Sequence, residues 1–182
     1  LGWKIWQNFN GDTDLDHSGN IWQILPYIDG SILALADNGM FLFSKNKNIK
    51  KIDDRNNYIG VVDEGGKIWH VVNDNKLESF SLNSEGGIDN RRYYDVPYVN
   101  AMTLGFSSKK LPVIWLATEK GLYFLSLDAA NGSELQPAIG PDEKPLTHVA
   151  ALTKANDGSL WIVHHNELLH RQKLFQNVNS NM

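Results

Sequence analysis

Two groups of side chains have the residue types that bind metal ions. Asp12, Asp14 and Asp16 alternate along one polar loop, as the carboxylates of a calcium-binding loop do. His17 stands where such a loop requires glycine, and Gln23 stands where it requires a bidentate glutamate. An aspartate-rich turn is the favoured interpretation, so we expect no calcium site there.

The second group consists of His164, His165 and His170, which surround one predicted hairpin. Imidazoles on adjacent strands can share a metal ion. Glu167 is the only evident carboxylate that could complete the set, and histidines are common in exposed turns. We therefore expect no metal site at this hairpin.

The sequence carries no motif that indicates catalysis. It lacks the Gly-x-Ser-x-Gly nucleophile motif, a phosphate-binding glycine loop and a pair of carboxylates on a defined scaffold. The absence of cysteine excludes disulfides, thiol catalysis and cysteine-ligated zinc. We predict no catalytic residue and no cofactor, and an enzyme is the least favoured class of function.

Any ligand-binding side chain must be positioned by a strand–turn–strand unit that recurs four times. Its clearest copy, residues 112–125, has two apolar strands that flank a turn ending at Gly121. The central Trp115 has counterparts at a spacing of about 40 residues, namely Leu33, Trp69 and Trp161. Turn formers stand three positions before each of them, at Gly30, Gly66, Pro112 and Gly158.

A repeat of this length built from short strands predicts an all-β fold, a β-propeller, although four unrelated hairpins in a sandwich are an alternative. Each small sheet has two apolar faces, which only neighbouring sheets can cover. The predicted blades are approximately residues 20–52, 58–95, 99–145 and 149–178. Residues 129–145 are expected to form a long loop. The three tryptophans are expected to pack in the core between blades.

Charge and hydrophobicity disfavour two classes of partner, nucleic acid and the membrane. The net charge is −4, and no cluster of lysine and arginine suggests a phosphate-binding surface, so nucleic acid is disfavoured. The basic run at residues 45–51 is interpreted as the solvated outer part of a blade. No apolar run approaches the ~20 residues that span a bilayer. Contact with a membrane is therefore expected only through flanking segments.

The repeats resemble the two-component regulator propeller repeat. Residues 114–123 match its pattern of aliphatic, Trp, aliphatic, small and Thr residues, followed by a turn, Gly-Leu and an aromatic residue. In the family's repeat, a loop with Asp-Gly precedes the strand that carries Trp. Residues 157–162 match this first half, with Asp-Gly followed by Ser, Leu, Trp and Ile. The departures are Leu33 for Trp, Ala36 and Val72 for Thr, and Glu167 for Gly.

The resemblance implies the periplasmic sensor segment of a membrane-bound bacterial histidine kinase. Members of the family usually carry more than four blades, so it also implies that this chain is part of a larger propeller. No kinase motif lies in these residues. The expected ligand is a small carbohydrate or a protein, and a homodimer is the expected assembly. A protein-binding scaffold without a small-molecule ligand is the alternative.

The candidate ligand-binding residues lie in the turns between the second and third strands of the blades. Propeller ligands generally bind on the face that these turns form, over the central channel. The turns are polar and rich in amides, which suits the hydroxyl groups of sugars, although turns are polar in general. The candidate residues are Asn38, Asn75, Lys120, His165 and Asn166.

Overall fold

A computed structural model describes residues 19–46, 48–72, 75–107, 110–127, 134–140, 144–165 and 167–171. In these residues the chain is built almost entirely of antiparallel strands, and the helical structure they contain is one 3₁₀ turn at Ile28–Gly30. They contain no helix with the length and hydrophobicity that a membrane span requires. The prediction of an all-β fold, a β-propeller, is confirmed.

The strands form four sheets in chain order, each one blade. The first contains β1 (Ile21–Pro26), β2 (Ile32–Ala36), β3 (Gly39–Phe43) and β4 (Ile49–Asp53). The second contains β5 (Gly60–Val62), β6 (Ile68–Val72), β7 (Lys76–Leu82) and β8 (Ile88–Asp95). The third contains β9 (Val99–Phe106), β10 (Pro112–Thr118), β11 (Gly121–Ser126) and β12 (Gln136–Pro137). The fourth contains β13 (Val149–Lys154), β14 (Leu160–His164) and β15 (Glu167–Arg171).

The chain divides into two compact units, of which the first ends at Asp95 and the second begins at Val96. In the first unit, β1, β2 and β3 of the first sheet and β6 and β7 of the second contribute a buried apolar cluster, namely Leu25, Leu33, Leu35, Met40, Ile68 and Phe80. In the second unit, the third and fourth sheets enclose another apolar cluster, namely Val113, Trp115, Ala117, Leu122, Ala138, Val149, Leu160 and Ile162.

The turn between the second and third strands has the same backbone geometry in the first and third sheets. Gly39 and Gly121 both have φ of 141°. A Cβ atom on Gly121 would lie 2.0 Å from the carbonyl oxygen of Leu146, and one on Gly39 would lie 2.3 Å from that of Asp53. Only glycine fits this backbone and this close approach. The recurrent glycine is therefore a structural requirement of the blade.

Two predictions about individual segments were wrong. The expected loop at residues 129–145 contains β12, which pairs with β11 as the outer strand of the third sheet. Trp161 was expected in the core and is instead 37% exposed, whereas Trp69 and Trp115 are buried. Adjacent residues of a strand point to opposite faces of the sheet. Ile162 packs in the cluster with Trp115, so Trp161 lies on the other face.

The outer strands have exposed, polar or proline-containing edges. β8 carries Asp89, Arg91 and Arg92 in an exposed run, and β12 consists of Gln136 and Pro137 alone. These edges mark the rims of the second and third sheets.

Candidate functional site

The structure places the predicted ligand-binding residues in the expected turns. Asn38 joins β2 to β3, and Asn75 joins β6 to β7, both in the first unit. Lys120 joins β10 to β11, and His165 joins β14 to β15, both in the second unit. Asn166 and the aspartate-rich loop at residues 12–16 lie outside the described residues.

Beside Asn38, the turn residue Asp37 fixes an exposed tryptophan. The indole N–H of Trp22 donates to Asp37 Oδ1 at 2.5 Å. The backbone N–H and the side-chain Nδ2 of Asn20 donate to Asp37 Oδ2 at 2.9 and 3.1 Å. These bonds, first from the Asn20 backbone and then from the Trp22 indole, lower the pKa of Asp37. Asp37 is therefore an ionised carboxylate that fixes the Trp22 side chain through a hydrogen bond.

Tyr58 completes an aromatic pair with Trp22. The two ring centroids are 5.6 Å apart and the rings are inclined at 68°, an edge-to-face arrangement. Asn56 donates from Nδ2 to the Tyr58 hydroxyl at 3.0 Å. Trp22 is 55% exposed and Tyr58 is 46% exposed. We call Asn20, Trp22, Asp37, Asn56 and Tyr58 the aromatic site.

Hydrogen bonds between the strands that carry Trp22 and Tyr58 fix the positions of the two rings. Trp22 lies on β1, and Tyr58 immediately precedes β5. The side chain of Gln23 accepts a hydrogen bond from the backbone N–H of Gly60 at 2.8 Å, which ties β1 to β5. The backbone N–H of Asn57 donates to the carbonyl of Ala36, at the end of β2. Both sides of the aromatic pair are thus anchored to the same pair of sheets.

The sequence analysis did not identify this site, because Trp22 and Tyr58 are distant along the chain. One signal was available. Among the first strands of the four sheets, β5 and β13 carry no aromatic residue, whereas β1 carries Trp22 and β9 carries Phe106. An aromatic side chain at an inner-strand position, next to a polar turn, is the pattern that could have pointed to the site.

A second polar cluster is buried between the first and second sheets. Glu78 accepts from Arg55 Nη2 at 2.5 Å and contacts His70 Nε2 at 2.7 Å through Oε2, and Arg91 Nε lies 2.9 Å from its Oε1. Asp53 pairs with the Arg55 guanidinium, and Arg91 Nη2 lies 3.7 Å from Asp53 Oδ2. We call these five residues the buried ionic cluster.

The electrostatics of the buried ionic cluster keep both carboxyl groups ionised. Burial alone raises the pKa of Glu78, but the hydrogen bond and charge of His70, followed by those of Arg55, lower it below its ordinary value. Burial likewise raises the pKa of Asp53, and the bonds and charge of Arg55 reverse that effect. The pKa of Arg55 is raised, first by its bond to Asp53. The two carboxylates therefore balance the two arginines.

The donor atoms of this cluster could in principle bind a metal ion. One donor atom each of Asp53, His70 and Glu78 lies within 4.8 Å of the others. However, guanidinium groups of Arg55 and Arg91 already occupy the carboxylate oxygens. A cation would have to displace both arginines, so the cluster acts as an ion-pair network. His70 and Glu78 interrupt the apolar faces of β6 and β7, and this signal was available in the sequence.

The histidine group differs from the one predicted. His165 lies beside His164, with ring centroids 4.4 Å apart, and beside His148, with ring centroids 5.2 Å apart. His170 instead stacks on Trp161 at 4.2 Å. The structure thus brings His148, from the segment before β13, to the turn that contains His165.

Comparisons with known proteins were made for the sequence and for the fold. No protein-family model matches the chain, and no curated protein matches it. Among solved structures, virginiamycin B lyase from Staphylococcus aureus matches with a TM-score of 0.55 and 19% identity, over 81% of this chain and 53% of that one.

Two extracellular domains from B. thetaiotaomicron also match. One, described as belonging to a one component system, has a TM-score of 0.56 and 16% identity, over 86% of this chain and 21% of that one. The other, described as belonging to a hybrid two component system, has a TM-score of 0.53 and 18% identity, over 79% of this chain and 19% of that one.

The chain spans about half the length of the lyase and about a fifth of the two extracellular domains. At these identities the likeness establishes the fold. The chain is a β-propeller segment whose structural relatives include extracellular domains of two-component regulators.

Proposed function

We propose that this chain is a non-catalytic segment of an extracytoplasmic bacterial sensor and that it binds a small carbohydrate at the aromatic site. Two observations support the proposal: the fold shared with extracellular domains of two-component regulators, and the exposed pair of Trp22 and Tyr58. The aromatic pair carries the argument, because it is the feature that selects a class of ligand. The proposal places the chain in the periplasm, with membrane contact through flanking segments.

The chemistry of the aromatic site suits a sugar ring. The apolar faces of a sugar pack on aromatic rings, and its hydroxyl groups need donors and acceptors at the rim. Trp22 and Tyr58 supply exposed rings, and Asn20 and Asn56 supply amide groups beside them. The negative charge of Asp37 is already satisfied by three hydrogen bonds. An uncharged, hydroxyl-rich ligand therefore fits better than a charged one.

The same geometry argues for binding without turnover. Glycoside hydrolysis uses two carboxyl groups, one of which must hold a proton to act as the acid. Among the described residues, the aromatic site contains one carboxylate, Asp37, and the hydrogen bonds from Asn20 and Trp22 lower its pKa. Asp37 is thus a positioning residue for Trp22.

Titration calorimetry with a panel of host and plant oligosaccharides tests the proposal. Trp22→Ala should weaken binding about fivefold or more, because loss of a stacking ring removes about 1 kcal/mol or more. Tyr98→Ala is the matched control, since Tyr98 is 48% exposed and lies in the second unit. The proposal fails if no oligosaccharide binds, or if both variants weaken binding equally.

A protein partner is the second candidate, and one observation favours it. Ile21 and Ile24 are exposed beside Trp22 on β1, which gives this strand an apolar surface. If the chain is a protein-binding scaffold, no oligosaccharide should give heat in the titration, and Ile24→Ser should weaken binding of the protein partner. The carbohydrate proposal predicts that Ile24→Ser leaves oligosaccharide binding unchanged. The sequence also predicts a homodimer. Sedimentation velocity with and without oligosaccharide measures whether the chain forms one.

A further inference from the structure

Three histidines come together at one end of the fourth sheet, outside the aromatic site. His164 ends β14, His165 begins the turn to β15, and His148 immediately precedes β13. The ring of His165 lies between the other two, with centroid distances of 5.2 Å to His148 and 4.4 Å to His164. His148 and His165 are exposed, and His164 is half-buried. The side chains of His148 and His165 are therefore open to solvent.

The spacing between the His148 and His165 rings matches shared coordination of one metal ion. Two imidazoles on a tetrahedral ion, with metal–nitrogen distances of about 2.0–2.1 Å, place their ring centres roughly 5 Å apart. The observed centroid distance of 5.2 Å is close to this value.

The backbone holds these histidines in place. The segment before β13 is fixed by the hydrogen bond from the Leu122 N–H to the Leu146 carbonyl at 3.0 Å. Val149, directly after His148, is buried and accepts a hydrogen bond from Asn100 Nδ2 at 2.9 Å. On the other side, His164 pairs in register with Val149 and with Glu167. A site held from two segments loses little entropy when a metal ion binds.

The donor types select the class of metal. Imidazole nitrogens favour Zn²⁺, Ni²⁺ and Cu²⁺, whereas Ca²⁺ and Mg²⁺ require oxygen ligands. The Thr147 hydroxyl lies 3.4 Å from His165 Nε2. A hydrogen-bonding group is therefore next to the His165 ring, which contacts both His148 and His164. Glu167, the register partner of His164, is exposed on the neighbouring strand.

We propose that His148 and His165, with His164 beside them, form a binding site for a divalent transition metal such as Zn²⁺ or Ni²⁺. The site shares no residue with the aromatic site, since its residues lie in the second unit and the aromatic residues lie in the first. It gives His165, a turn residue that the sequence indicated as a ligand-binding residue, a metal ion as its ligand, and it replaces the expectation from the sequence that this hairpin has no metal site.

Calorimetric titration of the chelator-treated chain with ZnCl₂ and NiCl₂ tests the proposal. We expect one ion per chain and at least a tenfold weaker affinity for His148→Ala and for His165→Ala. His170→Ala is the matched control, because His170 lies in the same sheet and stacks on Trp161. It should bind as the unmodified chain does.

Three outcomes would overturn the proposal: no zinc or nickel binding, an equal loss for His170→Ala, or equal binding of Mg²⁺. Circular dichroism of each variant checks that the fold is retained, and a double variant with Asn in place of both His148 and His165 replaces any variant that fails to fold. Oligosaccharide titration of His148→Ala should give the affinity of the unmodified chain, so failure of the metal site and failure of the carbohydrate site are distinguishable.

Discussion

Each of the two units contains an interface between two antiparallel sheets, and the two interfaces differ in their chemistry. Between the first and second sheets, an apolar cluster is accompanied by the buried ionic cluster, in which Glu78 contacts two arginines and a histidine. Between the third and fourth sheets, the buried cluster is formed by apolar side chains around Trp115. The repeat therefore specifies how strands pair, while the side chains facing the next sheet can be either ionic or apolar.

The two interfaces should respond differently to side-chain substitutions. An apolar interface depends on packing volume, and its loss on truncation grows with the cavity that remains. A buried ionic interface depends on complete pairing, because removal of one partner leaves the others charged and desolvated. The first unit is thus sensitive to a change of charge as well as to a change of volume, whereas the cluster between the third and fourth sheets is sensitive to a change of volume.

Truncation of Glu78 should give the largest loss in the first unit. Glu78→Ala leaves Arg55, Arg91 and His70 facing a site without its carboxylate. The free energy of unfolding should fall by about 3–5 kcal/mol in urea denaturation. Asp95→Ala, which breaks the exposed pair with Lys76, is the control and should cost about 0–1 kcal/mol. Equal losses for the two variants would contradict the comparison.

Truncation of Trp115 should be comparably damaging in the second unit. Trp115 is 1% exposed and packs on Phe124 with a centroid distance of 5.2 Å. Trp115→Ala should lower the free energy of unfolding by about 3–5 kcal/mol, because it leaves a cavity in the apolar cluster. Trp115→Phe should restore part of the loss, since a smaller ring fills part of the volume. A loss below about 1 kcal/mol would show that this interface is not closely packed.

Acidification should affect the ionic interface selectively. The folded-state pKa values of Asp53 and Glu78 lie below their ordinary values, so their contribution to stability is present above the unfolded-state values. That contribution is lost as the pH falls below about 4 and through the lower folded-state values. Urea midpoints measured between pH 7 and pH 3 should fall less steeply for Glu78→Ala than for the unmodified chain. Parallel curves would refute the role of the cluster.

Truncation of Trp161 should have the smallest effect of the four. Trp161 is 37% exposed and stacks on His170 with an interplanar angle of 20°. Trp161→Ala should cost about 1 kcal/mol or less, the value of one aromatic contact near the surface. Urea denaturation beside Trp115→Ala gives the direct contrast between two residues at the same position of the repeat. A loss as large as that of Trp115→Ala would mean that Trp161 is covered.

The sequence was sufficient to predict the strands and turns because their signals are local. The continuous run of apolar β-formers around Trp115 and the glycine at position 121 specify one hairpin without reference to the rest of the chain. The register of β10 with β11 confirms that prediction, since Thr118 pairs with Gly121 across the turn. The same reasoning predicted β2 and β3, where Gly39 adopts the same φ.

Burial and side-chain contacts were harder to predict because they depend on distant segments. Trp161 repeats the local pattern of Trp115, yet its exposure depends on which sheet covers its face. Asp53, His70 and Glu78 come from three strands, and no local motif connects them. The turn containing Asp37 was identified, but its contact with Trp22 requires the pairing of β1 with β2.

The outer strands have a consequence for how this chain behaves at high concentration. The unpaired rim of a sheet is a template on which a strand of another molecule can grow, the first step toward aggregation. Pro137 in the two-residue β12 has no N–H to offer such a strand, and the exposed charges of Asp89 and Arg92 along β8 resist burial beneath it. Encounters between molecules are thereby directed to the faces and loop ends of the sheets, where selective recognition depends on side chains.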